Sequence, residues 1–93
     1  MDGAVLTGTI IDTATKQALE HVIVTVSAPA LPQEVAVATD AKGQYRIPQL
    51  PKGSYTVRAE LAKYQPEVRG GIFLRQNGTT RLNLELRPAA RGR

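Results

Sequence analysis

Apolar and polar residues alternate with a period of two along most of this 93-residue chain. Residues 21–27 read His-Val-Ile-Val-Thr-Val-Ser, which puts Val22, Val24 and Val26 on one face. Residues 54–61 set Tyr55, Val57, Ala59 and Leu61 against Thr56, Arg58 and Glu60. In residues 81–87 the pattern is clearest: Leu82, Leu84 and Leu86 alternate with Arg81, Asn83, Glu85 and Arg87. A sheet with one wet and one dry face requires this alternation. Shorter runs at residues 5–12, 34–39, 44–47 and 68–75 bring the expected strands to seven. Only residues 14–20 offer a helical turn, too short to shape the fold.

The links between these runs carry turn chemistry. Asp40-Ala-Lys-Gly43 has an Asx cap at its start and a glycine that tolerates left-handed backbone at its end, so a short hairpin is expected there. Asn77-Gly78 is the strongest short hairpin dipeptide and predicts a type I′ turn between strands ending at Arg75 and starting at Thr80. Pro48, Pro51 and Gly53 predict a looser connection before Tyr55, and Pro29, Pro32 and Pro66 mark two further loops. Seven short strands with such links predict an all-β sandwich or partly open barrel without internal repeats. Residues 1–3 read as an amino-terminal extension, 4–87 as the domain, and 88–93 as a basic tail or linker.

Composition narrows the function. A chain of this length builds one core, burying roughly 60–65% of its unfolded surface, with little room for an enclosed catalytic chamber. There is no cysteine, hence no disulfide framework and no thiolate metal site, whatever the compartment. No stretch approaches the roughly 18 apolar residues of a membrane span, and nothing near Met1 resembles a signal peptide. The net charge of +4 invites a nucleic-acid reading. Yet Arg87, Arg91 and Arg93 supply most of that surplus, and residues 1–86 hold nine basic against eight acidic residues. With three tyrosines, one phenylalanine and no tryptophan there is no stacking platform, so nucleic acid is not an expected partner.

Several motifs occur in a familiar order: Gly8-Thr-Ile-Ile-Asp12, Leu19 with Val22-Ile-Val-Thr-Val26, Thr39-Asp-Ala-Lys-Gly-Gln-Tyr45, Leu50-Pro-Lys-Gly-Ser-Tyr55-Thr-Val57, and Tyr64. Over residues 4–87 the chain resembles the carboxypeptidase regulatory-like domain family. The resemblance implies a prealbumin-like, immunoglobulin-like Greek-key sandwich of seven strands, related to collagen-adhesin B-type domains. It also implies a non-catalytic accessory module, set beside zinc carboxypeptidase domains, in cell-surface proteins, or at the amino termini of outer-membrane TonB-dependent receptors of the Oar type. Residues 74–86 and the Ala/Arg segment after them are most similar to that last setting, which implies an extracytoplasmic location. Two departures stand out. His21 replaces the family's usual glycine, so a differently built turn is expected there. The first strand also lacks the lysine of the adhesins' isopeptide bond, Lys16 falling in the turn after it, and none is expected.

Candidate chemistry is sparse. His21 is the sole histidine, which excludes multi-histidine zinc sites, and neither a Gly-x-Ser-x-Gly elbow nor a His-Glu-x-x-His run occurs. The histidines and Tyr-Arg-Gly-Ser ending of transthyretin-fold hydroxyisourate hydrolases are missing as well. Asp12 and Asp40 read as turn caps rather than calcium ligands, and Asn77-Gly-Thr as a turn rather than a glycosylation sequon. Gly8, Gly43, Gly53 and Gly78 read as turn glycines; Tyr45 and Tyr55 as buried rings with their hydroxyls at an edge; Leu50 as a plug for one end of the sandwich. The expectation is therefore no enzyme, cofactor or metal. The candidate partner surface comprises Leu31 in a Pro-rich loop, Tyr64, and an outward Phe73 beside Gly70-Gly71, itself a candidate β-bulge. The expected partner is a neighbouring domain or another surface protein, with a glycan on Tyr64 as the alternative and a monomer or weak dimer as the state.

Overall fold

A computed structural model describes residues 3–89, in which the alternating runs form eight strands in two facing sheets. The strands are β1 (Ala4–Asp12), β2 (Ile23–Ser27), β3 (Val35–Ala38), β4 (Gln44–Leu50), β5 (Gly53–Glu60), β6 (Glu67–Leu74), β7 (Thr79–Arg81) and β8 (Leu84–Leu86). One sheet has β1 at its centre, flanked by antiparallel β4 and, on the other side, by β7 and β8 running parallel to it. The second sheet is the antiparallel array β3-β2-β5-β6. This is the expected all-β Greek-key sandwich.

The dry faces meet as the alternation dictates. Leu6 and Ile10 of β1, Val22 with Val24 and Val26 of β2, Ile47, Val57, Leu74, Leu84 and Leu86 are all essentially inaccessible to water. Tyr45 and Tyr55 join them ring-first, and Leu50 seals one end at 2% exposure. Leu61 and Leu82, expected inside, sit half-buried at the rim of this core.

The expected seventh strand is two strands. It breaks at Leu82-Asn83, where the Leu82 N–H donates to the Thr7 carbonyl at 2.7 Å and the Asn83 side-chain oxygen accepts the Thr9 N–H at 2.9 Å. A side chain thus replaces the backbone acceptor that the broken ladder has lost.

Both expected hairpins are corrected by the structure. The Asp40–Gly43 turn forms as read: Gly43 N–H donates to the Asp40 carbonyl, and Asp40 Oδ1 accepts the Lys42 and Gln44 N–H groups at 2.9 Å. However, β3 and β4 then enter different sheets. Asn77 is left-handed (φ 61°), but Gly78 is not, so this is not the type I′ turn that needs both. Instead Gly78 N–H closes a turn onto the Arg75 carbonyl at 3.0 Å, and the chain crosses from β6 to β7 in the opposite sheet. Turn residues favour a reversal of the chain; which strands pair, and with it the turn type at Asn77-Gly78, depends on where an open edge waits, here that of β1.

Two further differences share one cause. β4 does not stop at Ile47, and the link to β5 is only Pro51 and Lys52 rather than a loose loop. Register moves from Leu6↔Ile47 to Ala4↔Leu50, leaving one extra residue on β4 with Gln49 at φ 60°. Such a bulge on an edge strand accommodates Pro48 without losing a ladder bond. The candidate bulge at Gly70-Gly71 is present too: Tyr55 pairs Ile72 and Val57 pairs Arg69, with Gly71 at φ 70°.

Order also continues past Leu86. Tyr64 bridges Pro88, Gln65 N–H donates to Arg87, and Ala89 N–H donates to Lys63. The start of the expected tail is therefore docked on the loop after β5. Residues 1–2 of the expected extension and residues 90–93 of the tail lie outside the described residues.

Candidate functional site

Most of the polar side chains that could carry chemistry already have partners within the fold. Asp12 closes the inward row of β1 (Ala4, Leu6, Gly8, Ile10, Asp12) and is 6% exposed. One carboxylate oxygen accepts the Ala14 and Thr15 N–H groups at 2.6 and 3.1 Å; the other accepts the Tyr64 hydroxyl at 2.6 Å. The Tyr64 bond first, then the backbone donors, hold the Asp12 carboxyl below its ordinary value. The same bond, with burial, raises the Tyr64 phenol. Asp12 therefore caps its turn as expected and also anchors a loop 52 residues away. The sequence signal for this second task was its parity, since an acid in an inward row needs a partner.

Midway along β1, Tyr45 donates its hydroxyl to the Leu82 carbonyl at 2.6 Å, and burial pushes its pKa up to about 12. Gly8, expected in a turn, instead sits mid-strand in β1 opposite Tyr45, where close approach of the backbone requires glycine: a Cβ there would stand 1.8 Å from the Leu82 oxygen. At the other end Tyr55 donates to the Pro51 carbonyl at 2.6 Å, next to Leu50. Gly53 carries φ 145°, and Gly43 (φ 74°) leaves no room for a side chain against the Ile10 carbonyl, 2.6 Å from its Cβ position. These residues hold the frame.

His21 is exposed, with Glu20 3.6 Å from its Nε2 and no other acidic or basic partner among the described residues. Its backbone is left-handed (φ 70°), the conformation that glycine adopts freely. The turn is thus built as a glycine would build it, correcting the expectation of a different one. Thr39 locks it, accepting the Val22 N–H at 2.9 Å and donating to the Leu19 carbonyl at 2.6 Å. Among the described residues no three His, Cys, Asp or Glu side chains gather to hold a metal, and no helix is long and apolar enough to cross a membrane.

The three candidate surface residues do not come together. Leu31 is half-buried against the core, and Tyr64 is half-buried beside a hollow of about 400 Å³ lined by His21, Ile23, Glu60, Leu61 and Pro66. Phe73 points outward as its parity requires and is 60% exposed. Two residues the sequence reading passed over share its sheet face, Val68 (51%) and Ile23 (44%). The polar seat of the opposite sheet was also missed: Arg46, Thr7 and Arg81 form one outward row across β4, β1 and β7.

The family model of the carboxypeptidase regulatory-like domain matches residues 5–87, the whole span of the sandwich. The chain belongs to that family. Within it, the domain is 49% identical over 85 residues to part of the TonB-dependent transporter Oar of Myxococcus xanthus. The match takes in 91% of this chain but spans only 8% of the transporter. Among solved structures, the Bacillus anthracis TIE protein superposes with a TM-score of 0.76 at 24% identity, over 91% of this chain and 16% of that one. The 5-hydroxyisourate hydrolase of Klebsiella pneumoniae superposes at 0.69 and 20% identity, over 97% and 94% of the two chains. These structures share the regulatory-like domain's fold. The single, exposed His21 gives this domain no histidine cluster of its own.

Proposed function

We propose that this domain is a non-catalytic accessory module of a larger outer-membrane protein of the TonB-dependent transporter kind, exposed to an extracytoplasmic compartment. It acts by packing on a neighbouring domain or by binding a partner. The observation that carries this reading is the 49% identity to a stretch making up 8% of a transporter. The geometry supports it: Asp12, Tyr45, Tyr55, Tyr64 and Thr39 all spend their polar groups holding loops in place. The face carrying Phe73, Val68 and Ile23 is where a neighbouring domain would pack.

A glycan on Tyr64 has less support, because the ring is half-buried and its hydroxyl is committed to Asp12. The test is deletion of residues 4–89 from the full-length parent. Pore function should persist while stability, assembly or partner recruitment falls. Complete loss of pore function in a deletion that still inserts correctly would refute the accessory role.

A further inference from the structure

We propose that the free edge of β3 takes an extended, acidic peptide as an added strand, its carboxylates set against Arg46 and Arg81. This deepens the partner-binding half of the accessory role and rests on it.

A sandwich has open edges, and proteins blunt them with prolines, bulges, charges or breaks because unpaired ladder groups recruit other strands. Three edges here are blunted. β4 carries Pro48 and a bulge at Gln49; β6 is bent at Gly70-Gly71 and bears the Glu67–Arg69 ion pair; β7 and β8 are three-residue pieces separated by Leu82-Asn83. β3 reads Val-Ala-Val-Ala, short but with no proline, bulge or charge.

The ladder shows which groups are free. Thr39 N–H donates to the Val22 carbonyl, so Thr39 faces β2. By alternation Val37 and Val35 do the same, and the N–H and C=O groups of Ala36 and Ala38 point away from the sheet. Both alanines are exposed, and their small side chains let another backbone come close.

A second observation fixes the charge of the occupant. Beside this edge lies a groove of about 370 Å³ with Val37 and Ala38 on one wall, Thr7, Arg46 and Arg81 on another, and Asp40 at one end. Neither arginine belongs to an ion pair among the described residues. Asp40 adds a negative charge, but its Oδ1 is turned into its own loop and accepts two backbone N–H groups. Two unpaired guanidiniums beside an unpaired strand edge suit a strand bearing carboxylates, by backbone addition with charge-assisted side-chain contacts. A second copy fits poorly, because four residues of pairing bury far less than the roughly 1,200 Å² of a stable interface and would bring two cationic grooves together.

The test uses short capped peptides of alternating valine and glutamate, a valine–lysine counterpart, and a valine–glutamate version N-methylated on alternate amides. Binding is followed by amide chemical shifts of the isotope-labelled domain. The glutamate peptide should shift Ala36 and Ala38 and weaken with salt, while the lysine and N-methylated peptides fail. Arg46→Gln with Arg81→Gln should weaken binding about tenfold, the scale of two exposed ion pairs. Ala36→Pro should abolish it; if that variant does not fold, the N-methylated peptide tests the same backbone group. Absence of shifts, shifts centred on β6, equal binding of the lysine peptide, or self-association through β3 would each overturn the proposal. Such a failure leaves the accessory role standing, because deletion in the parent reads that role separately.

Discussion

Replacing Gly8 with alanine should be among the most damaging single-methyl additions in this domain. The new Cβ would stand 1.8 Å from the Leu82 oxygen, 2.7 Å from the Leu82 carbonyl carbon and 2.9 Å from the Tyr45 hydroxyl. Two of those atoms are backbone, so no rotamer change relieves the clash. β1 or the Leu82-Asn83 link must move. That link is held by the Leu82 N–H on Thr7 and by Asn83 on Thr9, so displacement also threatens the ladder between β1 and the last two strands.

Overpacking a tight interior costs about 1–3 kcal/mol. Stranding the Tyr45 hydroxyl without its acceptor costs about 1–3 kcal/mol more. A loss of about 3–4 kcal/mol is expected, a large share of the roughly 5–15 kcal/mol that small domains possess. With a urea slope near 1 kcal/mol per molar, the unfolding midpoint drops by about 3 M. Far-ultraviolet circular dichroism is the appropriate probe, since the chain has no tryptophan. Gly70→Ala is the control: its Cβ would meet only Thr56 Oγ1, at 3.9 Å, and should leave stability within about 1 kcal/mol of wild type. In a Tyr45→Phe background, Gly8→Ala should cost about 1 kcal/mol less, because the hydroxyl term is gone. A Gly8→Ala midpoint matching wild type would refute the close approach of the Leu82 carbonyl.

Three other outcomes follow from the same geometry. His21→Gly relieves a left-handed L-residue (about 1–2 kcal/mol) against a larger unfolded-state entropy (about 0.4–1 kcal/mol), so thermal unfolding should show stability unchanged or raised by up to about 1.5 kcal/mol. Tyr45, raised from 10.0 to about 12, contributes stability that is fully present below pH 10 and lost as pH rises through 12, about 2–3 kcal/mol in all; Tyr45→Phe should lack this alkaline component in urea titrations. Asp12 has a lowered carboxyl, so its stabilisation is present above pH 3.8 and lost as pH falls through the folded value; Tyr64→Phe, which removes the largest cause, should raise the Asp12 carboxyl in an NMR titration and make the acid loss shallower.

The sandwich was legible because period-two alternation depends only on which side of each strand is wet. Val22-Val24-Val26 and Leu84-Leu86 could face nowhere else. Pairing partners were not legible: Asp40–Gly43 fixes its turn but not the sheet that the next strand joins, and Asn77-Gly78 adopts a different turn from the hairpin type its residues favour. The bulge at Pro48-Gln49 was hidden for a related reason: proline ends a central strand but is tolerated at an edge, and edge status is a tertiary fact. Of the surface, the parity of Phe73 was readable, whereas the Arg46-Thr7-Arg81 row joins residues far apart in the chain and exists only once β4 and β7 flank β1.

The parallel placement of the first and last strands bears on how such a module serves a longer chain. Val5 lies beside Thr79 and Asp12 beside Leu86, so the chain enters the sandwich at one end of β1 and leaves at the other. Nine residues of strand separate those points by about 30 Å. The chain after Leu86 does not leave at once, because residues 87–89 dock on the loop after β5 at that same end. β3 is one edge of the second sheet, and Phe73 lies on β6 at its other edge. In the proposed reading one sheet offers two surfaces, the face bearing Phe73, Val68 and Ile23 for a neighbouring domain and the unpaired β3 edge for a peptide.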